Sequence, residues 1–279
     1  MGLRISTNIA AINARRMLTG STEAQQKSLE RLSSGSRINK AGDDAAGLAI
    51  SENLKAQIRG LRQAKRNASD GISLVQVTEG GLNEITKILV RLRELSVQAA
   101  SDTIGDTERS FTDREFQSLK AEIQRISKST NFNGTEVLNG RENPIDIQVG
   151  IYNTSDDRLS YDTKFADSRL EALGILEESV MTKAGAQNSL AKIDTGLKKV
   201  NEVRSTLGAL QNRLASTINN LSIYDENLSA ANSRIRDVDV AEESDAVAAV
   251  RVVVLVGEHD ALGVARGAAR VADVHHVVL

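Results

Sequence analysis

Apolar residues recur along this chain in steps of three, four and seven. From Leu54 they run through Ile58, Leu61, Ala68, Ile72, Val75, Leu82, Ile85, Leu89, Leu92, Leu95 and Ala99. This spacing predicts a helix from about residue 44 to about residue 100, packed along its length against other helices. Such a helix is ~85 Å long at 1.5 Å per residue, whereas a compact chain of this size has a radius of gyration of only ~19 Å. The expected fold class is mostly α: an elongated antiparallel helical rod, coiled-coil-like, with a small β-hairpin region.

A second segment places Phe116, Leu119, Ile123 and Ile126 on one face. Thr112 and Glu115 before it have the arrangement of a capping box, and Asn131-Phe-Asn-Gly134 reads as the turn that ends it. A third seam runs Leu190, Ile193, Leu197, Val200, Val203, Leu207, Leu210, Leu214, Ile218, Leu221, Leu228, Ala231 and Ile235. It matches the first in length, so the two can zip together with the middle segment as a third rod. Between them, Ile145, Ile147 and Val149 alternate with polar residues, and Leu159, Tyr161 and Phe165 follow; this reads as a short β-hairpin region. Gly60, Gly71, Gly80 and Gly81 interrupt the long helix, each at a cost of roughly 0.5–1 kcal/mol relative to Ala, which close packing would have to offset. The N-terminal segment carries Ile5, Ile9, Ile12, Met17, Leu29 and Leu32 and has no partner among the rods. Its natural partner is the other end of the chain or another subunit.

Composition narrows the chemistry. The chain has 279 residues, no Cys, no Trp and 3% aromatics although 40% of it is hydrophobic, so its apolar mass is aliphatic and suits helix–helix seams. Zero Cys excludes a disulfide scaffold, a Cys-based zinc site and a thiol nucleophile. All three His lie after residue 258, which leaves nothing for imidazole catalysis before it. A net charge of −2 gives no pull toward nucleic acid or anionic membranes. No run reaches the ~18 apolar residues of a membrane span, so no membrane insertion is expected. The N-terminus lacks the basic start and apolar run of a signal peptide. Its Met-Gly opening approaches a myristoylation pattern, with Thr7 one place off.

Several longer stretches resemble one family. Ile5-Ser-Thr-Asn-Ile9, Leu29-Glu-Arg-Leu-Ser-Ser-Gly-Ser-Arg-Ile-Asn39 and Ala41-Gly-Asp-Asp-Ala-Ala-Gly-Leu-Ala-Ile50 are similar to the N-terminal region of bacterial flagellin. So are Arg91-Leu-Arg-Glu-Leu-Ser-Val-Gln98 and Asn131-Phe-Asn-Gly-Thr-Glu-Val-Leu-Asn-Gly140. Leu210 to Leu221, Glu226 to Ile235 and Asp237-Val-Asp-Val-Ala-Glu242 resemble its C-terminal rod. The resemblance covers about residues 1–140 and 185–243.

It implies an organisation: residues 1–43 as an N-terminal inner-tube segment, 44–140 as rod helices, 141–184 as a short variable insert, and 185–243 as the C-terminal rod. Ile5, Ile9 and Ile12 would serve inner-tube assembly. Leu54, Ile58, Leu61, Leu89, Leu92, Leu207, Leu210 and Leu214 would pack the rods. The implied function is that of a filament subunit for motility, with no enzyme activity and no cofactor or metal. Its partners would be further copies of itself, the flagellar cap and hook-junction proteins, and the type III export apparatus with its chaperone. Export by that route uses no cleavable signal, and a Cys-free chain stays threadable. The family is also detected by a vertebrate Toll-like receptor; its motif positions fall on Arg91, Leu95 and Glu122. Leu95 equally fits the seam, and Arg91 with Glu122 equally fits a surface ion pair worth ~0–1 kcal/mol.

After Ser244 the resemblance stops. Residues 244–279 run through Val252-Val-Val-Leu-Val256 to Val271-Ala-Asp-Val-His-His-Val-Val-Leu279 and, past Ser244, contain no Asn, Gln, Ser, Thr, Lys or Ile. This reads as the wrong reading frame or a sequencing error joined at about Glu243, with a divergent tail as the alternative. His259, His275 and His276 have no metal-site spacing. Val252 to Val256 is an aggregation hazard if exposed. Other features have plain readings: Asp43-Asp44 and Glu242-Glu243 as helix-start or solvated acids, Lys65-Arg66 and Lys198-Lys199 as solvated faces, and Gly80-Gly81 as part of a seam, not a phosphate loop. The sequons at Asn67, Asn133, Asn153 and Asn227 mean little in a bacterial protein. A hook–filament junction protein has similar ends, and a chemoreceptor-like signalling coiled coil would share the rods but needs spans or a docking module.

Overall fold

The computed structural model describes residues 9–249. Ile5, residues 250–279 and the three His lie outside the described residues. The elements are α1 (Ile9–Ser34), α2 (Ala45–Ala99), α3 (Asp106–Ser129), β1 (Asn131–Phe132), β2 (Thr135–Glu136), β3 (Ile145–Gln148), β4 (Arg158–Tyr161), α4 (Leu170–Leu173) and α5 (Lys183–Arg236), followed by a helix over 240–249. The chain is mostly α, with long helices and two small antiparallel hairpins. It divides into two compact units, 57–227 and the described parts of 1–56 with 228–279.

In the 57–227 unit, α2 and α5 run antiparallel. Ion pairs at successive levels show it: Arg93–Asp194 at 2.8 Å, Glu79–Arg204 at 3.7 Å and Arg62–Asp225 at 3.1 Å. The seam between them is a strict heptad. On α2, Leu61, Ala68, Val75, Leu82, Leu89 and Ser96 are buried at one position, and Ala64, Gly71, Thr78, Ile85, Leu92 and Ala99 at the other. On α5, Ala186, Ser189, Ile193, Gly196, Val200, Val203, Leu207, Leu210 and Leu214 step by alternating threes and fours. This 3.5-residue repeat keeps one stripe facing the partner. Its buried hydroxyls cost little because each has an acceptor: Thr78 donates to the Leu74 carbonyl at 2.8 Å, Ser96 to that of Leu92 at 2.8 Å, and Ser189 to Ser96 at 2.9 Å.

α3 lies antiparallel on α2, through Arg91–Glu115 at 2.9 Å, and buries Phe116 and Ile123 fully. It begins at Asp106, not at Thr112. The expected capping box is absent: the N-cap is Gly105 without a side-chain cap bond, and Thr112 sits inside the helix, donating to the Glu108 carbonyl. Asp106 and Glu108 in the first turn suit the positive end of the helix dipole. Arg109 turns back and donates to the carbonyls of Ala99 at 3.0 Å and Ser101 at 2.9 Å, closing the C-terminal end of α2. Lys120, buried, donates to the carbonyls of Leu176 and Glu178 at 2.7 and 2.8 Å and so holds the loop before α5 on α3.

Asn131–Gly134 is more than a turn. Asn133 (φ 50°) and Gly134 (φ 77°) form the two-residue loop of the β1–β2 hairpin, which pairs Phe132 with Thr135 and Asn131 with Glu136. An Asn-Gly pair is the preferred sequence for such a loop. The β3–β4 hairpin pairs Ile145 with Tyr161 and Ile147 with Leu159. It packs onto α2 where Gly71 leaves room: a Cβ there would lie 2.7 Å from Ile147 Cδ1. A Cβ on Gly81 would meet Leu138 Cδ1 and Thr130 Oγ1, both at 2.9 Å. Gly71 admits the β3–β4 hairpin and Gly81 the residues flanking the β1–β2 hairpin, whereas Gly80 meets nothing within 4 Å. The Tyr161 hydroxyl joins the two hairpins by donating to the Val137 carbonyl at 3.0 Å, and burial raises its pKa.

Candidate assembly surface and recognition residues

The unit built from the two chain ends is organised by a short loop. α1 ends where Gly35 takes a φ of 67°, beyond the reach of most side chains. Ser36 then bridges Asp237 in antiparallel fashion. The Arg37 N–H donates to the Arg236 carbonyl at 2.6 Å and the Val238 N–H to that of Gly35 at 3.2 Å. Ile38 is buried beneath this crossing. Asp239 accepts the Ala241 N–H at 2.9 Å, which starts the 240–249 helix in the usual N-cap manner. Arg31–Glu243, at 3.5 Å, ties that helix to α1. The C-terminal part of α1 and the start of the 240–249 helix therefore run side by side and antiparallel, and that helix continues past residue 243.

The acidic pairs are structural. Asp44 caps α2 by accepting the Gly47 N–H at 2.8 Å. Asp43 accepts the N–H groups of Asn39 and Lys40 at 3.3 and 3.2 Å and pairs with Lys27 at 2.7 Å. The Lys27 ammonium and the two backbone donors hold its carboxyl down at about 2. Across the same unit Ser51 donates to Asn232 at 2.8 Å, and Arg236 pairs with Glu52.

On this frame α1 presents bare apolar side chains. Ile9 is 67% exposed, Ile12 58%, Met17 71%, Leu18 45% and Leu29 48%. At 100° per residue Ile9 and Ile12 share one face, and Leu18 and Leu29, eleven residues apart, share a nearly opposite one. Val240, 63% exposed, adds to the apolar surface.

The expected rod-packing residues separate by burial. Ile58, Leu61, Leu89, Leu92, Leu207, Leu210 and Leu214 are buried, and Leu54 is only half-buried. Of the three recognition positions, Leu95 is 2% exposed and belongs to the core. Arg91 is half exposed and pairs with Glu94 at 3.0 Å and Glu115 at 2.9 Å. Glu122 pairs with Arg125 at 2.6 Å, which holds its carboxyl below the usual range. Arg91 and Glu122 are thus not partners of each other. Among the described residues there is no cluster of three metal-ligating side chains, and no helix is long and apolar enough to cross a membrane.

Residues 5–143 match the bacterial flagellin N-terminal helical region, and residues 190–257 match the bacterial flagellin C-terminal helical region. The second match runs past residue 243, where the resemblance was expected to end. A flagellin of Halalkalibacterium halodurans is 46% identical over 239 residues, covering 86% of this chain and 87% of that protein. A flagellin of Bacillus subtilis is 42% identical, with 86% and 89% covered. A flagellar filament 31.3 kDa core protein of Treponema maltophilum is 41% identical, with 86% and 88% covered. Among solved structures, a hook-associated protein described as putative, from Vibrio parahaemolyticus, aligns with a TM-score of 0.58 at 14% identity, over 70% of this chain and all of that one, a likeness of fold. Bacillus cereus flagellin aligns at 32% identity over 60% of this chain and 94% of that one, with a TM-score of 0.49.

Proposed function

The chain belongs to the bacterial flagellin family, and from that premise we propose how its surfaces are used. It is a structural subunit of the flagellar filament, a polymer of its own kind. In our reading the two apolar faces of α1 are the inner-tube contacts, with Ile9 and Ile12 on one neighbour and Leu18 and Leu29 on another. The supporting observation is that one helix exposes large aliphatic side chains on both sides. Burial on assembly contributes about 25 cal/mol per Å² of apolar area, set against the entropy of ordering the chain ends. A head-to-tail contact that does not close on itself then extends as a helical filament. Residues 1–43 act as the inner-tube segment, 44–140 and 185–243 as the rods, and 141–184 as a minimal insert. Beyond the matched residues, after residue 257, the chain does not supply the family's usual amphipathic partner for Ile5, Ile9 and Ile12, and assembly is impaired by it.

The remaining partners follow from the family. The chain leaves the cell through the flagellar type III apparatus with a chaperone, and adds beneath the cap beyond the hook-junction proteins. The free monomer meets the Toll-like receptor through Arg91 and Glu122, with Leu95 acting from the core. A junction role has only the shared fold behind it. Export is tested by expressing the chain in strains with and without the flagellar export apparatus. It should reach the medium only in the first; equal release from both would refute this route.

A further inference from the structure

We infer that Asn133 is a site of spontaneous covalent modification, whereas Asn139, in the same dipeptide, is protected by the fold. The chain contains two Asn–Gly pairs, Asn133–Gly134 and Asn139–Gly140. Glycine after asparagine leaves the following backbone nitrogen unobstructed, since no Cβ stands beside it. In the reaction the Gly134 nitrogen bonds to Asn133 Cγ and gives up its proton. The Cγ–Nδ2 bond breaks and ammonia leaves. Water then opens the cyclic imide at one of its two carbonyls. Opening on one side yields aspartate, and on the other isoaspartate, whose backbone runs through Cβ and Cγ. Water is the one co-reactant, and nothing is oxidised or reduced.

The two sites share the following glycine but differ in exposure, in what holds the asparagine amide and in how the backbone is tied. Asn133 is exposed at the hairpin tip, and its amide makes no hydrogen bond among the described residues. Pairing of Phe132 with Thr135 leaves the Gly134 N–H outside the ladder. That ladder is two residue pairs long, so opening the tip breaks little else. Asn139 instead donates its amide to the Glu136 carboxylate. Its backbone is tied on one side, where the Leu138 carbonyl accepts the Ser168 N–H at 3.1 Å, and crowded on the other, where the Asp167 carboxylate lies against Gly140. Turning Gly140 toward Asn139 Cγ would break the charge-assisted bond and displace the Asp167 loop.

The products have different consequences. Aspartate suits the same two-residue loop. Isoaspartate lengthens the backbone within a turn that tolerates no extra atom, and the fully buried Val137 and Leu138 follow directly from β2. Accumulation of isoaspartate at this tip should therefore loosen the hairpin from α2.

The test incubates the full chain, folded, at mildly alkaline pH and follows amide-to-acid conversion at each site by peptide mass mapping. A parallel sample in urea gives the intrinsic rates. In urea both sites should convert at similar rates. In the folded chain Asn133 should convert roughly tenfold or more faster than Asn139, because breaking a hydrogen bond to a charged group costs about that factor. Equal rates in the folded chain, faster conversion at Asn139, or no folded-state conversion at Asn133 while the urea sample converts would each overturn the proposal.

Discussion

Two neighbouring glycines in α2 should respond differently to the same substitution. Gly80 is exposed, and a Cβ added there meets nothing within 4 Å. Replacing an exposed mid-helix glycine by alanine stabilises the helix by about 0.8–1 kcal/mol. Gly81→Ala has the same backbone advantage, but its Cβ would lie 2.9 Å from Leu138 Cδ1 and from Thr130 Oγ1, and 3.1 Å from Thr130 Cγ2. Neither neighbour yields freely: Leu138 is fully buried, and the Thr130 hydroxyl is tied to the Ile126 carbonyl at 2.7 Å. Overpacking of this kind costs about 1–3 kcal/mol, so the net effect is a loss of about 0–2 kcal/mol. The two variants should therefore differ by about 1–3 kcal/mol. Urea unfolding reads this as midpoints displaced in opposite directions at an unchanged slope. In thermal unfolding each kcal/mol moves the midpoint by about 2–4 °C for a unit of this size. Equal shifts of the same sign would refute the view that Gly81 exists to admit the residues flanking the β1–β2 hairpin.

Acid should loosen the loop between α1 and α2. The Asp43 carboxyl sits at about 2 in the folded chain against an ordinary 3.8, so its contribution is fully present above the ordinary value and is lost as pH falls through about 2. Amide exchange at Asn39 and Lys40 should accelerate across that window and become insensitive to it in Asp43→Asn; protection that ignores pH in the parent chain would contradict this. In receptor-binding titrations, Arg91→Ala should weaken binding by about 1–2 kcal/mol or more, as a modest anchor does. Leu95→Ala should act through folding, and equal affinity for the parent, Arg91→Ala and Glu122→Ala would leave these residues as rod surface.

The long helices were legible because Leu, Ile and Val mark the seams at Leu61, Leu82, Leu89, Leu207 and Leu214. The seam was nevertheless incomplete as read. Thr78, Ser96, Ser189, Gly71 and Gly196 fill heptad positions that a hydrophobic pattern skips. They are hidden because a hydroxyl bonded to a carbonyl one turn back is locally satisfied, and because glycine packs by what it lacks. The α3 start was misplaced since Thr112 and Glu115 stand three apart in mid-helix as they would in a cap. The bonds of Arg109 to carbonyls at the end of α2 and just after it, and of Lys120 to distant loop carbonyls, have no sequence signature. Near the N-terminal end, Ile9 and Ile12 are conspicuous in the sequence because no rod seam takes them up, and in the structure they are exposed. The pair Asp43-Asp44 suits a helix start or a solvated face; Asp44 is the cap, and the tie of Asp43 to Lys27 depends on α1 folding back beside it.

Seeded polymerisation viewed by electron microscopy shows whether the α1 faces build the filament. Three chains are added to flagellin filament seeds: the chain itself, a version whose residues after 243 are replaced by the corresponding C-terminal segment of the Bacillus subtilis relative, and that version carrying Ile12→Asp. Only the second should elongate, because the α1 faces then have their partner and the aspartate removes one of them. Failure of the second chain to elongate would contradict the assembly surface assigned to α1, and equal elongation by all three would contradict both that surface and the reading of the tail.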